Sequence, residues 1–286
     1  MTELFIRQLT VSDLERADEI LDSAFGAAES RQPELQRYLT LQPDGWFIAA
    51  KDDGLPIAMV GTLNYGAFAY VGMMAVHQSV QREGIGKALM EYLLVDLHAK
   101  GCPIVLLDAS ESGRPLYLQL GFQEEGRANV YILPDFTPFF CSRGCQVEPI
   151  QPDNLEELAA FDLPIFGADR SKCFKMLQDE LAGRAFLTRD SKDKISGFLF
   201  AQSSGRIGPW SANNPEDARE LLKAALSLPY QFLPRVISPS KNKAAEYLLD
   251  EAGFILERGC THMRLGGQKA PGQRQLIYGQ HSLAIG

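Results

Sequence analysis

The stretch AYVGMMAVHQSVQREGIGKALMEYLLVDLHAKG, residues 69–101, decides the fold. Residues 69–76 are apolar or glycine apart from one tyrosine, which is typical of a strand buried on both faces. Polar residues 77–84 interrupt this run, and apolar residues then recur at helical spacing as far as Gly101, a residue type that commonly ends helices. The sequence therefore predicts a buried strand, a glycine-containing loop and a long helix.

The loop between strand and helix contains Gly84 and Gly86 and runs into the first helical turn. A helix start carries unpaired N–H groups and the positive end of the helix dipole, and glycine lets the backbone approach a ligand closely. This combination favours binding of a phosphate or pyrophosphate. The spacing matches neither the Walker loop nor the dinucleotide fingerprint.

The spacing that fits is Q/R-x-x-G-x-G/A, met by Gln81, Gly84 and Gly86, and a second motif, RPLYLQLGF, follows at residues 114–122. Together they resemble the GNAT superfamily of acetyl-CoA-dependent N-acetyltransferases, whose second motif is similar to LYxxLGF. The resemblance implies an α/β fold in which a mixed, mostly antiparallel central sheet is flanked by helices. Hydrophobic periodicity agrees with that order, since it predicts strands over residues 4–9, 46–50, 56–63, 70–76, 103–108 and 129–133.

Residues 135–144 break every period, and the pattern of residues 6–14 starts again at residues 147–155. Further strands are predicted at residues 185–188, 195–201, 206–211 and 261–265, and residues 245–254 repeat the approach to Gly121-Phe122. We interpret this as an internal duplication. The prediction is a catalytic GNAT domain over residues 1–134, a linker over 135–144 and a degenerate GNAT-like domain over 145–286.

The second copy lacks the loop chemistry of the first. Aligning Lys87-Ala88 with Lys223-Ala224 places Asp217, Glu220 and Leu222 on Gln81, Gly84 and Gly86. Two carboxylates repel a pyrophosphate, and two of the side chains occupy space that bare backbone must leave open. We therefore expect only the first copy to bind an acyl-CoA, as in a bacterial tandem-GNAT subfamily that the whole chain resembles.

Composition excludes several classes of function. The formal net charge is −8 with no basic patch, which argues against a nucleic-acid partner, and no apolar run or signal peptide indicates a membrane. A cytoplasmic location is the default expectation. The five cysteines have no framework spacing, and Cys141 and Cys145 have no second ligand pair, so no metal site is predicted.

The GNAT resemblance assigns roles to residues by position. It places Met74, Ala75 and Val76 along the pantetheine arm of acetyl-CoA, with an N–H near Met74 polarising the thioester carbonyl. Tyr117 occupies the position of a frequent general acid, and a phenol stays protonated at neutral pH. Pyrophosphate binding falls to the loop residues Gln81, Arg82, Glu83, Gly84, Ile85, Gly86 and Lys87.

The general base is left open. Tyr70 stands where some members carry a glutamate, and Asp108 and His77 are the nearest titratable candidates, with a structural role as a turn, cap or surface residue as the alternative. A water chain or an amine that arrives neutral would also serve. Glu29 and Glu34 are candidates for binding a cationic amine, and Trp210, Tyr230, Tyr278 and His281 are candidates for lining the acceptor cleft.

These observations predict direct transfer of an acetyl group from acetyl-CoA to the primary amine of a small molecule in a ternary complex. The alternatives are a non-catalytic acyl-CoA sensor and a protein acetyltransferase acting on lysine or an N-terminus. The acceptor, the acyl-chain length and the oligomeric state are not fixed by the sequence.

Overall fold

The computed structural model describes residues 4–26, 30–51, 54–138 and 146–286. Asp52 and Asp53, Glu29, and the pair Cys141 and Cys145 lie outside these ranges. None of the helices within them is both long enough and apolar enough to cross a membrane.

The first half of the chain follows the predicted order of elements. The helical stripe beginning at Leu14 and the apolar runs on both sides of the loop all form where the periodicity places them. Its elements are β1 (Phe5–Gln8), α1 (Leu14–Phe25), α2 (Gln32–Leu41), β2 (Trp46–Ala50), β3 (Pro56–Asn64), β4 (Ala69–Val76), α3 (Ile85–Ala99), β5 (Val105–Ala109), α4 (Arg114–Gln119) and β6 (Gln123–Ile132).

The second half repeats this order and adds β13 at its end; neither β11 nor β13 was predicted from the sequence. Its elements are β7 (Glu148–Pro149), α5 (Leu155–Phe166), α6 (Ser171–Glu180), β8 (Ala185–Arg189), β9 (Ile195–Ala201), β10 (Ile207–Ala212), α7 (Pro215–Leu226), β11 (Arg235–Pro239), α8 (Lys243–Glu251), β12 (Ile255–Leu265) and β13 (Ile277–Gly279).

The two halves exchange strands. The larger sheet has the order β1-β2-β3-β4-β5-β12-β6-β11, and the smaller has the order β13-β10-β9-β8-β7. The last long strand of each half therefore pairs with the other half: β12 lies beside β5 and β6 lies beside β11. Strands β12 and β6 pair antiparallel at the centre of this arrangement. The larger sheet therefore contains strands of both halves, whereas the smaller sheet contains strands of the second half alone.

Apolar side chains cover both faces of the larger sheet. Leu89, Met90 and Leu93 of α3 pack on one face, against β4 and β5 among others. Helices α1 and α2 pack on the opposite face, where the core also contains Ala284 and Ile285. The segment after β13 thus lies in the core of the first half, on the face that α3 does not cover.

Candidate active site

Strand β4 contains a bulge at the position where the sequence predicts thioester binding. Gly72 pairs with Gly61 and Ala75 pairs with Met59, so that Met73 and Met74 together lie opposite one residue of β3. Met73 has φ 51°, a left-handed conformation that non-glycine residues rarely adopt. Bulges of this kind redirect backbone groups and concentrate at functional sites.

Beyond this bulge, β4 and β5 separate. Their parallel pairing covers only Ala69–Val71 against Val105–Leu107, although β4 continues to Val76 and β5 to Ala109. The two strands therefore form an open wedge at their carboxyl ends, the usual place for a ligand between parallel strands. The predicted pantetheine-binding residues, Met74, Ala75 and Val76, lie along one side of this wedge.

The loop that follows β4 brings unpaired backbone donors to the mouth of the wedge. Gln81 Nε2 donates to the carbonyl oxygen of Val76 over 3.0 Å, which ties the loop to the strand. Arg82 and Gly84 both have positive φ, and α3 begins at Ile85 with Gly84 as its N-cap. The N–H of Ala88 donates to Gly84, so the N–H groups before it have no partner within the helix.

The two glycines of the loop have different physical roles. A side chain at Gly84 would meet no atom within 4 Å, but its φ of +83° disfavours any L-residue. The space beside Gly84 is therefore open to a ligand. A Cβ at Gly86 would lie 3.4 Å from Val76 Cγ2, so this glycine allows α3 to pack close to β4.

The charged side chains of the loop are exposed and only weakly engaged. Glu83 pairs with Lys51 over 2.7 Å, whereas Lys87 lies 3.8 Å from Glu91. Arg82 has no ion pair among the residues that the structure describes. Arg82 and Lys87 thus keep positive charge next to the unpaired amides, where a phosphate would benefit from it.

Tyr117 lies in α4 and belongs to the same core as Met74 and Val76. Its ring packs edge-to-face against Phe122, with centroids 5.7 Å apart, and burial raises its pKa, so the phenol is protonated at neutral pH. Its hydroxyl has no hydrogen-bond partner among the described residues and is not one of the fully enclosed polar atoms. It remains available to a ligand.

Asp108 is not the turn or cap residue that the sequence suggested as its structural role. Its side chain is fully buried and accepts hydrogen bonds from the Tyr70 hydroxyl over 2.5 Å and from Gln280 Nε2 over 2.8 Å, while His262 Nδ1 lies 2.8 Å away. Burial alone would raise the pKa of Asp108, but His262 and Arg274 outweigh it, and the pKa is lowered. Asp108 is therefore an ionised acceptor enclosed by donors.

Sequence analysis missed this buried cluster because its members come from both halves. His262 is 154 positions from Asp108, and Gln280 is 172 positions away. Burial, then Arg274, lowers the pKa of His262, so the ring is neutral and donates its Nδ1–H to Asp108. No pattern in the sequence indicates that these residues meet.

Residues 280–286 cover part of the sheet face opposite α3. The Cα of Ala284 lies where a side chain at Gly72 would be, so this segment packs directly against the β4 bulge. Tyr65 donates its hydroxyl hydrogen to the carbonyl of Ile285, and Tyr38 is hydrogen-bonded to Ser282. The second half thus contributes to the surroundings of the bulge through these residues.

The Glu34 carboxylate already accepts hydrogen bonds from two side chains of this protein. It accepts hydrogen bonds from Arg206 over 2.6 Å and from Tyr38 over 2.7 Å. Burial acts to raise its pKa, but Arg206 and Tyr38 lower it to about 2. Its Oε1 already accepts from a guanidinium and a phenol, which argues against the predicted role of binding a cationic amine.

The other candidate residues are structural. His77 caps the short turn at Gln78–Val80 through its Nδ1. Trp210 and Tyr278 pack against each other inside the core of the second half, and Tyr230 donates to the carbonyl of Ala225. No group of three or more histidine, cysteine or acidic residues in the described ranges is arranged to hold a metal.

The second half has no loop equivalent to that of the first. Only Asn213 and Asn214 separate β10 from α7, and the Asn214 side chain accepts from the N–H of Asp217. The first helical turn also carries two carboxylates, Glu216 and Asp217. The helix start is therefore capped and negative, which disfavours a phosphate.

Comparison with known proteins agrees with this geometry. Residues 13–122 match the model of the acetyltransferase (GNAT) family, and residues 158–279 match an acetyltransferase (GNAT) domain. The chain is 24% identical over 256 residues to YitH of Bacillus subtilis (strain 168), described as an uncharacterized N-acetyltransferase; the match covers 88% of this chain and 89% of YitH.

Two crystal structures are similar over nearly the whole chain. A protein of Pyrococcus horikoshii, provisionally described as an acetyltransferase, has a TM-score of 0.86 at 27% identity, covering 99% of this chain and 96% of its own. A GCN5-related N-acetyltransferase of Sphaerobacter thermophilus shares the fold with a TM-score of 0.69 at 17% identity, covering 94% and 98%. The chain therefore belongs to the GNAT family, as an N-acetyltransferase with two GNAT domains in tandem.

Proposed function

We propose that this protein transfers the acetyl group of acetyl-CoA to the primary amine of a small molecule, by direct attack in a ternary complex. The observation that carries the proposal is the β4–β5 wedge, which opens beside the unpaired amides at the start of α3. Acetyl-CoA supplies the acyl group as a thioester. The open space beside Gly84 and the lack of such a loop in the second half favour binding in the first half alone.

The backbone of the first half supplies binding and polarisation. In this proposal, the N–H groups of residues 82–87 hold the pyrophosphate, and Arg82 and Lys87 add positive charge. Residues 74–76 bind the pantetheine arm by strand-like pairing along the wedge. The N–H near Met74 donates to the thioester carbonyl, and this hydrogen bond strengthens as negative charge develops on the oxygen.

Tyr117 is proposed to donate to the departing sulfur. Its raised pKa keeps the phenol protonated throughout the neutral range. A thiol has a pKa of about 8.5, below that of this phenol, so complete proton transfer from Tyr117 to the thiolate is unfavourable. Tyr117 therefore acts by donating a hydrogen bond to the sulfur.

Asp108 is proposed to act through its neighbours. Its carboxylate is fully buried and lies within 2.8 Å of each of three side-chain partners, so it orients Tyr70, His262 and Gln280. These residues lie on the face of the sheet opposite α3, which we call the acceptor side of β4. We assign it a positioning role. Deprotonation of the amine then falls to water or to the supply of amine in its neutral form.

Calorimetric titration with acetyl-CoA tests the binding half of the proposal. We expect one site for each chain, and we expect Gly84→Glu to abolish binding because it adds a charge and a side chain where the anion lies. Gly101→Glu is the matched control: Gly101 also has positive φ, and it too has no atom within 4 Å of an added Cβ. Equal loss of affinity in both variants would show that strain, not the site, is responsible.

Release of free thiol from acetyl-CoA in the presence of amines tests the catalytic half. We expect turnover with small primary amines and none with peptides of equal amine concentration. Tight binding without turnover on any amine would instead identify a sensor, and turnover on peptides alone would identify a protein acetyltransferase.

A further inference from the structure

Four arginines gather on the acceptor side of β4, in a chain whose formal net charge is −8. We call Arg31, Arg37, Arg206 and Arg258 the arginine cluster. Arg31 is the N-cap of α2 and Arg37 lies one turn and a half further on, while Arg206 immediately precedes β10 and Arg258 lies in β12. The cluster thus combines residues of both halves.

Two members of the cluster already have partners. Arg206 pairs with Glu34 over 2.6 Å, and Arg37 pairs with Glu180 over 2.9 Å. Tyr38 donates to the same oxygen of Glu34, Oε1, so this one carboxylate faces both Arg206 and Arg31. The two carboxylates, Glu34 and Glu180, thus face four guanidinium groups, and the cluster keeps a net positive charge.

Arg31 and Arg258 have no carboxylate partner among the described residues. The Arg31 guanidinium lies 5.4 Å from the centre of the Phe25 ring, and Arg258 donates only to Cys260 Sγ over 3.3 Å. Burial lowers the pKa of Arg31; Glu34 and Asp18 lie near enough to raise it, and Arg206 and Arg258 near enough to lower it. Arg31 is partly buried and Arg258 is exposed, and Glu34 is shared between Arg31 and Arg206, so a bound anion would reduce the repulsion among the three guanidinium groups.

The arginine cluster lies next to residues 280–286, which cover the acceptor side of β4. Tyr38, which bonds to Glu34, also bonds to Ser282, and Ala284 of the same segment rests on Gly72 of the β4 bulge. On the other flank, Cys260 packs near Leu283 and receives the Arg258 hydrogen bond. A molecule bound at the bulge from this side therefore has the arginine cluster within reach.

A buried polar atom without a partner adds a second, independent observation. His281 Nδ1 is enclosed in a residue that is only 2% exposed, and it has no hydrogen-bond partner among the described residues. Arg206, Arg37 and Glu34 are all close enough to His281 to act on its charge. Such an atom usually has a partner in the functional state of a protein.

From this arrangement we infer the class of acceptor. We propose that the acceptor amine carries an oxyanion group, a carboxylate or a phosphate, which Arg31 and Arg258 bind while the amine faces the β4 bulge. This inference rests on the proposed acetyl transfer. It reverses the sequence-based expectation that carboxylates on this side bind a cationic amine.

Rates with matched pairs of amines test the inference. Each pair differs by one anionic group, and rates are compared at equal concentration of the neutral amine: an amino acid against its carboxamide, and phosphoethanolamine against ethanolamine. We expect kcat/KM to be about 10-fold or more higher for the anionic member, the effect of one charge-assisted contact. The first pair reports on a carboxylate and the second on a phosphate, so the preferred anion is identified.

Variants assign the effect to the cluster. Arg31→Gln and Arg258→Gln are each expected to raise KM for the anionic amine about 10-fold and to leave the neutral amine within about threefold. Arg31→Lys, which keeps the charge, should lose less. Arg219→Gln is the matched control, because it removes an arginine whose ion pair with Glu251 lies on the outer surface of the second half.

Anion binding without turnover provides a second measurement. We expect succinate or inorganic phosphate to raise the melting temperature above that in sodium chloride of equal ionic strength, and the shift to vanish in the Arg31→Gln, Arg258→Gln double variant. Failure of acetyl-CoA to bind the wild-type protein would overturn the proposed function. Normal acetyl-CoA binding with equal rates for both members of each pair, and no anion-specific shift, would overturn this inference alone.

Discussion

Replacing Asp108 by asparagine tests the role of the buried cluster that joins the two halves. The substitution keeps the shape of the side chain but exchanges one acceptor oxygen for an NH₂ group. In the wild-type protein, Oδ2 accepts from Tyr70 and Gln280, and Oδ1 accepts from His262. An asparagine can keep the first two bonds only by turning its NH₂ group toward the His262 Nδ1–H.

His262 cannot relieve that conflict by changing its tautomer. Within the part of the chain that the structure describes, its Nε2 is buried without a partner, so moving the proton there only transfers the unpaired N–H to the other nitrogen. One buried donor stays unsatisfied, at about 1–3 kcal/mol, and two charge-assisted bonds become neutral, at roughly 0.5–1 kcal/mol each. We expect Asp108→Asn to lower the free energy of unfolding by about 2–5 kcal/mol.

Urea denaturation of the wild-type protein and of two variants measures this effect. Tyr70→Phe is the matched comparison, because it removes one donor and leaves the carboxylate with its other two; we expect it to cost only about 1 kcal/mol. For a positioning role, the surviving folded fraction of Asp108→Asn should show the wild-type pH–rate profile. An Asp108→Asn variant as stable as the wild type would refute the stability argument, and loss of the acidic limb of the pH–rate profile in its folded fraction would refute the positioning role.

Two further predictions concern Tyr117 and His281. Tyr117→Phe should lower kcat about 100-fold without changing acetyl-CoA affinity, since it removes only the donor to the leaving sulfur; equal initial rates in this variant and in the surface control Tyr247→Phe would exclude that role. Burial lowers the pKa of His281 from 6.5 to about 3, so below pH 6.5 the unfolded chain binds a proton that the folded chain does not. The free energy of unfolding should therefore fall by about 1.4 kcal/mol per pH unit as pH drops below 6.5. Urea titrations between neutral and mildly acidic pH should show a correspondingly smaller slope for His281→Gln, and an unchanged slope would contradict the assignment.

Local patterns predicted most of the fold. The strand, loop and helix around Gly84 form where the sequence places them, because buried strands and amphipathic helices each leave a periodic signal. Strand β11 was missed because only Val236, Ile237 and Ser238 separate Arg235 from Pro239, too short a run to stand out. The pairing of β12 with β5 and of β6 with β11 was not predicted either, because tertiary packing decides which strands pair when they are far apart in the chain.

The candidate site was also predicted only in part. The sequence predicted the loop from Gln81 to Lys87 and its absence from the second half, because glycine and charge at a helix start have direct physical consequences. It did not predict that Asp108 is enclosed, or that Glu34 is paired with Arg206. Both facts depend on residues contributed by the other half of the chain, and neither contact has a local signature.

The crystal structure of the complex with CoA is the measurement that addresses the central claim most directly. We predict a single bound molecule whose pyrophosphate contacts the amides of residues 82–87 and whose pantetheine arm enters between β4 and β5. Density for the cofactor beside Asn213 and Asn214, or anywhere outside the first half, would contradict the account.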